Sequence, residues 1–595
     1  LQGVTLHKVF GLILLCTGFT VSAIAQETET THFHQHPVLM SIEEAKESGR
    51  ISMDDAILQK YFVAYSPEKL DSEFRLSENT VPIKCMVPIT QEFEEMRPRL
   101  KASTVAAVEA MTNTASVNTE HTYVSPSGRF IFHYETTGND AVPDEQTLPA
   151  AIDAGIPDYI YKAAFAADSS YLYQVETLGF SDFSDGDGAP YEIRFDNFGF
   201  YGTTTSSGSS TFITLHNSFN GFPSNAHPEG NQIGALYVTI AHEIKHAIQY
   251  EANRWRGSAG SFNWIEMDAT MMEEVVFDNV DDYYNYIKTG LESTEPSFSS
   301  IFGAPQNPIP GAYYHITWML YFAQTYGIDF WVDVWDEVSA NPEIPFIDAI
   351  DTVLLTKGES FAGVHVMNHL WHLGAGENFT GNEFGFEESA FYPNPLTNQD
   401  LQFIPDSLNR TGLRPFAANY FRANSLNIAI GRPRIRLETT VPGVGVGAIG
   451  LFTDGTAESL IAMDEVSLNQ QLQTEWDWNN LDVLYIAVVN TSRSRIADYK
   501  IALESAIPEV DILARNYPNP FNPTTRIEFS INSAKNVRID IYDSIGRRIE
   551  TLINRPLNEG FHFVDFDGSG LASGVYFYRI RTNEQTLTQK MLLVK

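Results

Sequence analysis

The chain has 595 residues, 43% of them hydrophobic and 12% aromatic, enough to build several cores and to exclude whole-chain disorder. Its 38 Lys+Arg stand against 75 Asp+Glu, a net charge of −37, which argues against a nucleic-acid footprint and against anionic membrane surfaces. Two cysteines, Cys16 and Cys85, exclude a disulfide-stapled scaffold and a cysteine-rich zinc ribbon.

Residues 1–25 read as a signal peptide. Lys8 supplies the positive end, Val9 to Val21 the apolar run, and Ala23-Ile24-Ala25 the small-residue cleavage site. The run is too short for a confident membrane span, and no later stretch is long and apolar enough, so no transmembrane span is expected. Export through the periplasm would leave Cys85 alone, without an intrachain disulfide partner. Residues 26–120 read as a pro-region. Residues 41–65 have helical periodicity, and 101–128, rich in Ala, Thr, Ser and Val with no period, read as a linker. His32, His34 and His36 fall in a tail expected to be disordered.

Residues 121–395 read as one α+β unit. Strand patterns at Phe130–Tyr134, Tyr191–Phe195 and Thr211–His216 alternate with clear helices. By analogy, Thr211–His216 could be a sheet edge that receives an extended peptide. The chemistry lies in GALYVTIAHEIKHAIQYE (234–251), where His242-Glu243-Ile244-Lys245-His246 sits in an apolar pattern of helical spacing. Positions i and i+4 share a helix face, so both imidazoles can meet one ion, and Glu243 can reach a water there as general base. A chain of this composition should contain about 0.02 such motifs by chance, which favours a metal site over a helix with two packed histidines.

A catalytic zinc needs a third protein ligand and an open position. Ala247 to Ala252 offer no third histidine, so the ligand must come from another helix, and NWIEMDATMMEEVVFD (263–278) supplies Glu266. Glu266, Thr270 and Glu273 share a face; Glu273 and Glu274 are the fallbacks, and Asp268 points elsewhere. The bland alternative is a solvated acidic face.

The spacing and the Glu-x-x-Ala form at Glu266–Ala269 resemble the gluzincins, the HExxH…Glu zinc metallopeptidases. ETLGFSDFSDGDGAPYEIRF, STFITLHNSF and the two motif helices resemble secreted bacterial metalloproteases over residues 120–390, with PDYIYKAAFAADSSY (157–171) as the helix preceding that core. The resemblance implies zinc, a zincin-like fold and peptide-bond hydrolysis. It also implies a downstream Tyr or His to stabilise the oxyanion; Tyr314 and His315, at the start of the helix GAYYHITWMLYFAQTYG (311–327), rank above Tyr313.

Three other groups carry competing readings. Asp182, Asp185 and Asp187 could bind Ca²⁺, although an ordinary polar loop explains them as well. His365, His369 and His372 recur at helical spacing without a carboxylate and read as a packing face. Cys85, in PIKCMVPIT, is either a small buried hydrophobe or a thiolate that fills the zinc's open position and silences the enzyme.

Residues 410–506 hold short β-rich runs, LNIAIG (426–431), AIGLF (448–452) and VLYIAVVN (483–490), and read as a β-sandwich. Within 511–595, Tyr517-Pro518-Asn519-Pro520-Phe521-Asn522-Pro523, the Tyr542…Gly546 turn and Gly574-Val575-Tyr576 resemble the C-terminal sorting domain of type IX secretion substrates, which implies an Ig-like β-sandwich and contact with that secretion machinery. Residues 507–595 hold 11 Lys+Arg against 10 Asp+Glu, so the acid excess lies before them. The expectation is a secreted zinc endopeptidase, with His242, His246 and Glu266 on the metal and a protein or peptide as substrate. Two alternatives stand beside it: a surface adhesin or binding protein with an inactive core, and a zinc hydrolase of non-peptide bonds.

Overall fold

A computed structural model describes residues 36–595 except 77–79, 81, 113–120, 146–154, 185–187, 258–261, 288–311, 377–378, 380–383, 396, 398, 402–405, 425–430 and 507–511. The signal peptide with Cys16, His32, His34, Asp185, Asp187 and nearly all of LNIAIG therefore lie outside the described residues.

The first part of the body is helical. The 41–65 pattern resolves into α1 (Pro37–Glu47) and α2 (Met53–Tyr65), separated where Gly49 takes a positive φ and Ser52 caps α2 through the Asp55 amide. His36 is no disordered tail; its Nδ1 accepts from the Leu39 amide at the start of α1. Strand β1 (Ile83–Cys85) and helices α3 (Val87–Met96) and α4 (Ala102–Thr112) follow. Within the 101–128 stretch read as a linker, Ala102–Thr112 is a helix, which its alanines favour even without an amphipathic period, and His121–Val124 is a strand. These helices share a core of Leu39, Ile42, Ile57, Tyr61, Phe74 and Phe93, closed by Phe198 and Phe200 from beyond.

Next comes a six-stranded mixed sheet with β2 (His121–Val124), β3 (Phe130–Tyr134), β4 (Tyr191–Asp196), β5 (Phe200–Ser207) and β6 (Ser210–His216), in the order β1-β5-β6-β4-β3-β2. The edge expected at Thr211–His216 is not an edge. β6 is paired antiparallel to β5 and parallel to β4, because alternate apolar residues on both neighbours bury it. β5 is the penultimate strand, and β1 lies parallel along it with Cys85 opposite Gly202.

Helices cover the sheet: α5 (Asp158–Tyr171), α6 (Asn231–Asn253) and α7 (Phe262–Val276). Ile233, Leu236, Ile240, Ile244 and Ile248 give α6 its i, i+3/i+4 stripe, and the helix is buried from Gly234 to Gln249. It packs on β5, β6, α5 and α7. Gly202 permits the approach to β5, since a Cβ there would sit 2.8 Å from Thr239 Cγ2 and 3.0 Å from Glu243 Oε1. A 3-10 turn (Ala312–His315) then leads into α8 (Ile316–Tyr326), followed by α9 (Asp329–Ala340), α10 (Phe346–Thr356) and α11 (Phe361–Leu373).

Two β units complete the chain. β7 to β15, between Gln399 and Ala506, form sheets of four and five strands, beginning before residue 410. α11 lies on the five-stranded sheet, where Gly445 and Gly447 leave room for Val366 and Leu370. Its histidines are packing residues with partners. Trp318 Nε1 donates to His365 Nδ1 (3.1 Å), His369 Nδ1 accepts from Tyr420 (2.9 Å), and His372 Nε2 accepts from Thr317 Oγ1 (2.8 Å). Burial lowers His369 from 6.5 to about 4 and holds His365 well below its usual value. The unfolded chain therefore takes up protons that the folded chain refuses. Stability should be full above about pH 6.5 and fall as the pH drops toward 4, by about 1.4 kcal/mol per pH unit for each such histidine. Urea unfolding at pH 7 and pH 5 measures this.

β16 to β22, between Ile512 and Leu593, form a second sandwich of three- and four-stranded sheets. Its sequence signature has a packing reason. Phe521 is buried in the core against Phe566, its amide donates to Leu592 O, and Asn519 Oδ1 accepts from the Leu592 amide.

Candidate metal centre

α6 and α7 lie side by side and bring His242, His246 and Glu266 together. His242 Nε2 is 3.1 Å from His246 Nε2 and 3.2 Å from Glu266 Oε2, and His246 Nε2 is 3.1 Å from Glu266 Oε1. All three residues are buried.

The outer nitrogens fix the tautomers. His242 Nδ1 donates to Glu273 Oε1 (2.7 Å), since a carboxylate only accepts. Gln249 uses its amide to donate to Ile265 O and Asp268 Oδ2, so its Oε1 accepts from His246 Nδ1 (2.8 Å). Both Nε2 lone pairs then face each other and a carboxylate. Such a cluster is repulsive unless a cation, either a metal ion or a proton, sits among its atoms. The charge demand shows in His242. Burial alone would lower its pKa, but hydrogen bonds to Glu266 and Glu273 raise it to about 10. Two imidazoles and a carboxylate at this spacing fit a divalent ion such as zinc.

Glu273, on the same face of α7 as Glu266, is a support for His242 rather than a spare ligand. Glu273→Gln should weaken metal binding by roughly 10–100-fold, read by competition with a chromophoric chelator. Glu274 lies elsewhere, near Asp278 and Glu388; burial, with Glu388, Asp281 and Asp278 adding, pushes its pKa up to about 10.

Glu243 is fully buried and is held by Thr204 Oγ1, which donates to Oε2 at 2.7 Å. Burial, its first cause, raises the Glu243 pKa against the pull of His246 and His242. Its carboxylate adjoins Gly202 of β5, so it stands between the sheet and the histidines.

The candidates on the 3-10 turn separate. Tyr313 is buried with its ring 6.2 Å from His242, and burial, with Glu266 close by, holds its phenol well above the usual range. His315 is buried beside His369, and burial lowers its pKa to about 3. The Tyr314 side chain lies outside the described residues. Of the two whose side chains are described, Tyr313, ranked below His315 by sequence, is the one near a ligand. Asp182 caps its own loop by accepting from the Ser184 amide; Asp185 and Asp187 lie outside the described residues.

A fourth donor joins the cluster. Cys85, on β1, lies with His242, His246 and Glu266 so that one ligand atom from each falls within 4.8 Å of the others. Burial, with Glu243 and Glu266 close by, holds its thiol well above the usual range.

Fold and site define an α+β protein with a buried two-histidine, carboxylate and thiol cluster, followed by two β-sandwiches. Residues 515–595 match the family described as the secretion system C-terminal sorting domain. The chain thus carries a type IX sorting domain, which marks proteins exported to the cell surface or extracellular space. No helix among the described residues is long and apolar enough to cross a membrane. No curated protein matches the chain. Among solved structures, the dimeric latent PorU of Porphyromonas gingivalis is similar over 32% of this chain and 20% of that one, with 16% identity and a TM-score of 0.14. A β-1,2-glucanase of Parabacteroides distasonis aligns with 33% of this chain and 38% of its own, at 9% identity and a TM-score of 0.12. A β-glucuronidase of Bacteroides uniformis aligns with 31% and 27%, at 15% identity and 0.12. The chain spans well under half the length of these proteins, and at such TM-scores they carry no argument about its fold or activity.

Proposed function

We propose that the protein is an exported zinc-dependent endopeptidase with a zincin-like catalytic unit at 121–395. The observation that carries this reading is the convergence of both HExxH imidazoles and Glu266, with Glu243 alongside in a buried, water-poor setting. His242, His246 and Glu266 would hold the ion, which when bound polarises a carbonyl and makes water a nucleophile near neutral pH. The residues supply the rest. Glu273 and Gln249 keep the two imidazoles aimed at the ion. Glu243 takes a proton from the attacking water and passes it to the leaving amine, and its raised pKa suits both halves of that exchange. The Tyr313 phenol, close to Glu266, would donate to the developing oxyanion.

Metal analysis followed by casein and gelatin cleavage tests this. One zinc per chain with cleavage supports the reading. Zinc-loaded protein that cleaves neither substrate, before or after removal of the first 120 residues, overturns it in favour of the non-peptide hydrolase or the inactive binding protein.

A further inference from the structure

The zinc reading leaves β1 unexplained. This three-residue strand comes from the N-terminal segment, whose helices form a core that Phe198 and Phe200 of the catalytic unit close. Yet β1 reaches into the catalytic unit at the two places an enzyme of this kind must keep open. One is the free edge of β5, where an extended peptide could add as a strand; β1 occupies it, and the Met86 amide donates to Gly202 O. The other is the ion itself, where Cys85 brings a thiol within ligand distance of both imidazoles and Glu266. Lys84 fixes the strand. It is fully buried, 2.8 Å from Glu273 Oε2, paired also with Asp282, and flanked by the rings of Tyr201 and Tyr286 at 4.6 and 5.1 Å. Glu273 is the residue that orients His242, so two neighbouring residues of one strand engage both a ligand's support and the metal position. A buried hydrophobe would account for Cys85 alone, but not for the ion-paired lysine beside it.

We infer that Cys85 is the fourth ligand of the bound metal in the intact chain, closing the centre, and that the open position for hydrolysis arises when the thiol leaves the metal, as it does when β1 leaves β5. The inference rests on the zinc reading. On binding, the thiol gives its proton to solvent and the sulfur donates a lone pair to the ion; nothing is oxidised. Release needs the N-terminal segment to be cut or displaced.

The test loads the full chain with Co²⁺. One cobalt per chain and a near-ultraviolet thiolate-to-cobalt charge-transfer band are expected in the wild type. Cys85→Ala should keep the cobalt and lose the band, with circular dichroism checking its fold. Zinc-loaded Cys85→Ala should cleave casein about tenfold faster or more, because the apparent rate scales with the open fraction. Should Cys85→Ala misfold, alkylation of the wild-type thiol decides: bound zinc must protect it and a chelator must expose it. One cobalt held by His242 and His246 without the band overturns Cys85 ligation and leaves the peptidase reading intact. A band without any gain in cleavage on freeing the site overturns the latency. No cobalt in any variant overturns the metal centre itself.

Discussion

Glu243→Gln, measured in protein freed of its N-terminal segment, should lose roughly 10²–10⁴-fold in peptide cleavage while its metal content stays unchanged. The amide keeps nearly the same shape, so the tight fit beside Gly202 survives, and the Thr204 hydroxyl, 2.7 Å from Oε2, still has a partner. What is lost is the lone pair that accepts the water's proton and the acid that returns it. Cleavage of casein by wild type and variant at equal zinc occupancy is the measurement. Unchanged cleavage would remove Glu243 from the mechanism, and a loss of zinc would make its role structural.

Lys245→Ala should cost about 3–5 kcal/mol of stability. Lys245, inside the HExxH motif, is fully buried with Nζ 3.4 Å from Asp268 Oδ2 and over the Phe180 ring. Burial lowers its pKa to about 8, with Asp268 opposing, so it is largely charged at neutral pH. Removing it strands the fully buried Asp268 carboxylate without its cation. Asp268 in turn accepts from Gln249, whose Oε1 orients His246, so the damage should reach the metal. Lys245→Met with Asp268→Asn should restore most of the stability, because no unpaired charge remains. Denaturant midpoints of the wild type and the two variants check both statements; a single mutant as stable as the wild type would show that the pair is not coupled.

The motif helix was legible because its period and its chemistry coincide: the isoleucines that bury α6 leave positions 242 and 246 on one face. Glu266 and Glu273 were legible as one face of α7, though not their different roles, since only the packing of α7 on α6 puts Glu266 at both Nε2 atoms and Glu273 at His242 Nδ1. Tyr313 could not be ranked over His315, because only the packing of the 3-10 turn puts one ring near His242 and the other beside His369. The Thr211–His216 edge failed for a similar reason. A strand buried on both faces reads alike whether it is central or marginal, and neighbours are set by pairing between distant segments.

By itself, then, the sequence determined the motif helix and α7, which imidazoles share a face, and that residues 515–595 form a sorting domain, because periodicity and local motifs are properties of adjacent residues. Only the tertiary structure decided that Lys84 and Cys85 enter the centre. Residue 85 lies 157 positions before His242, and no local pattern marks the partner of a lone thiol. Their meeting depends on one strand pairing with β5, and on a glycine at 202 that lets that sheet edge lie against the metal-binding helix.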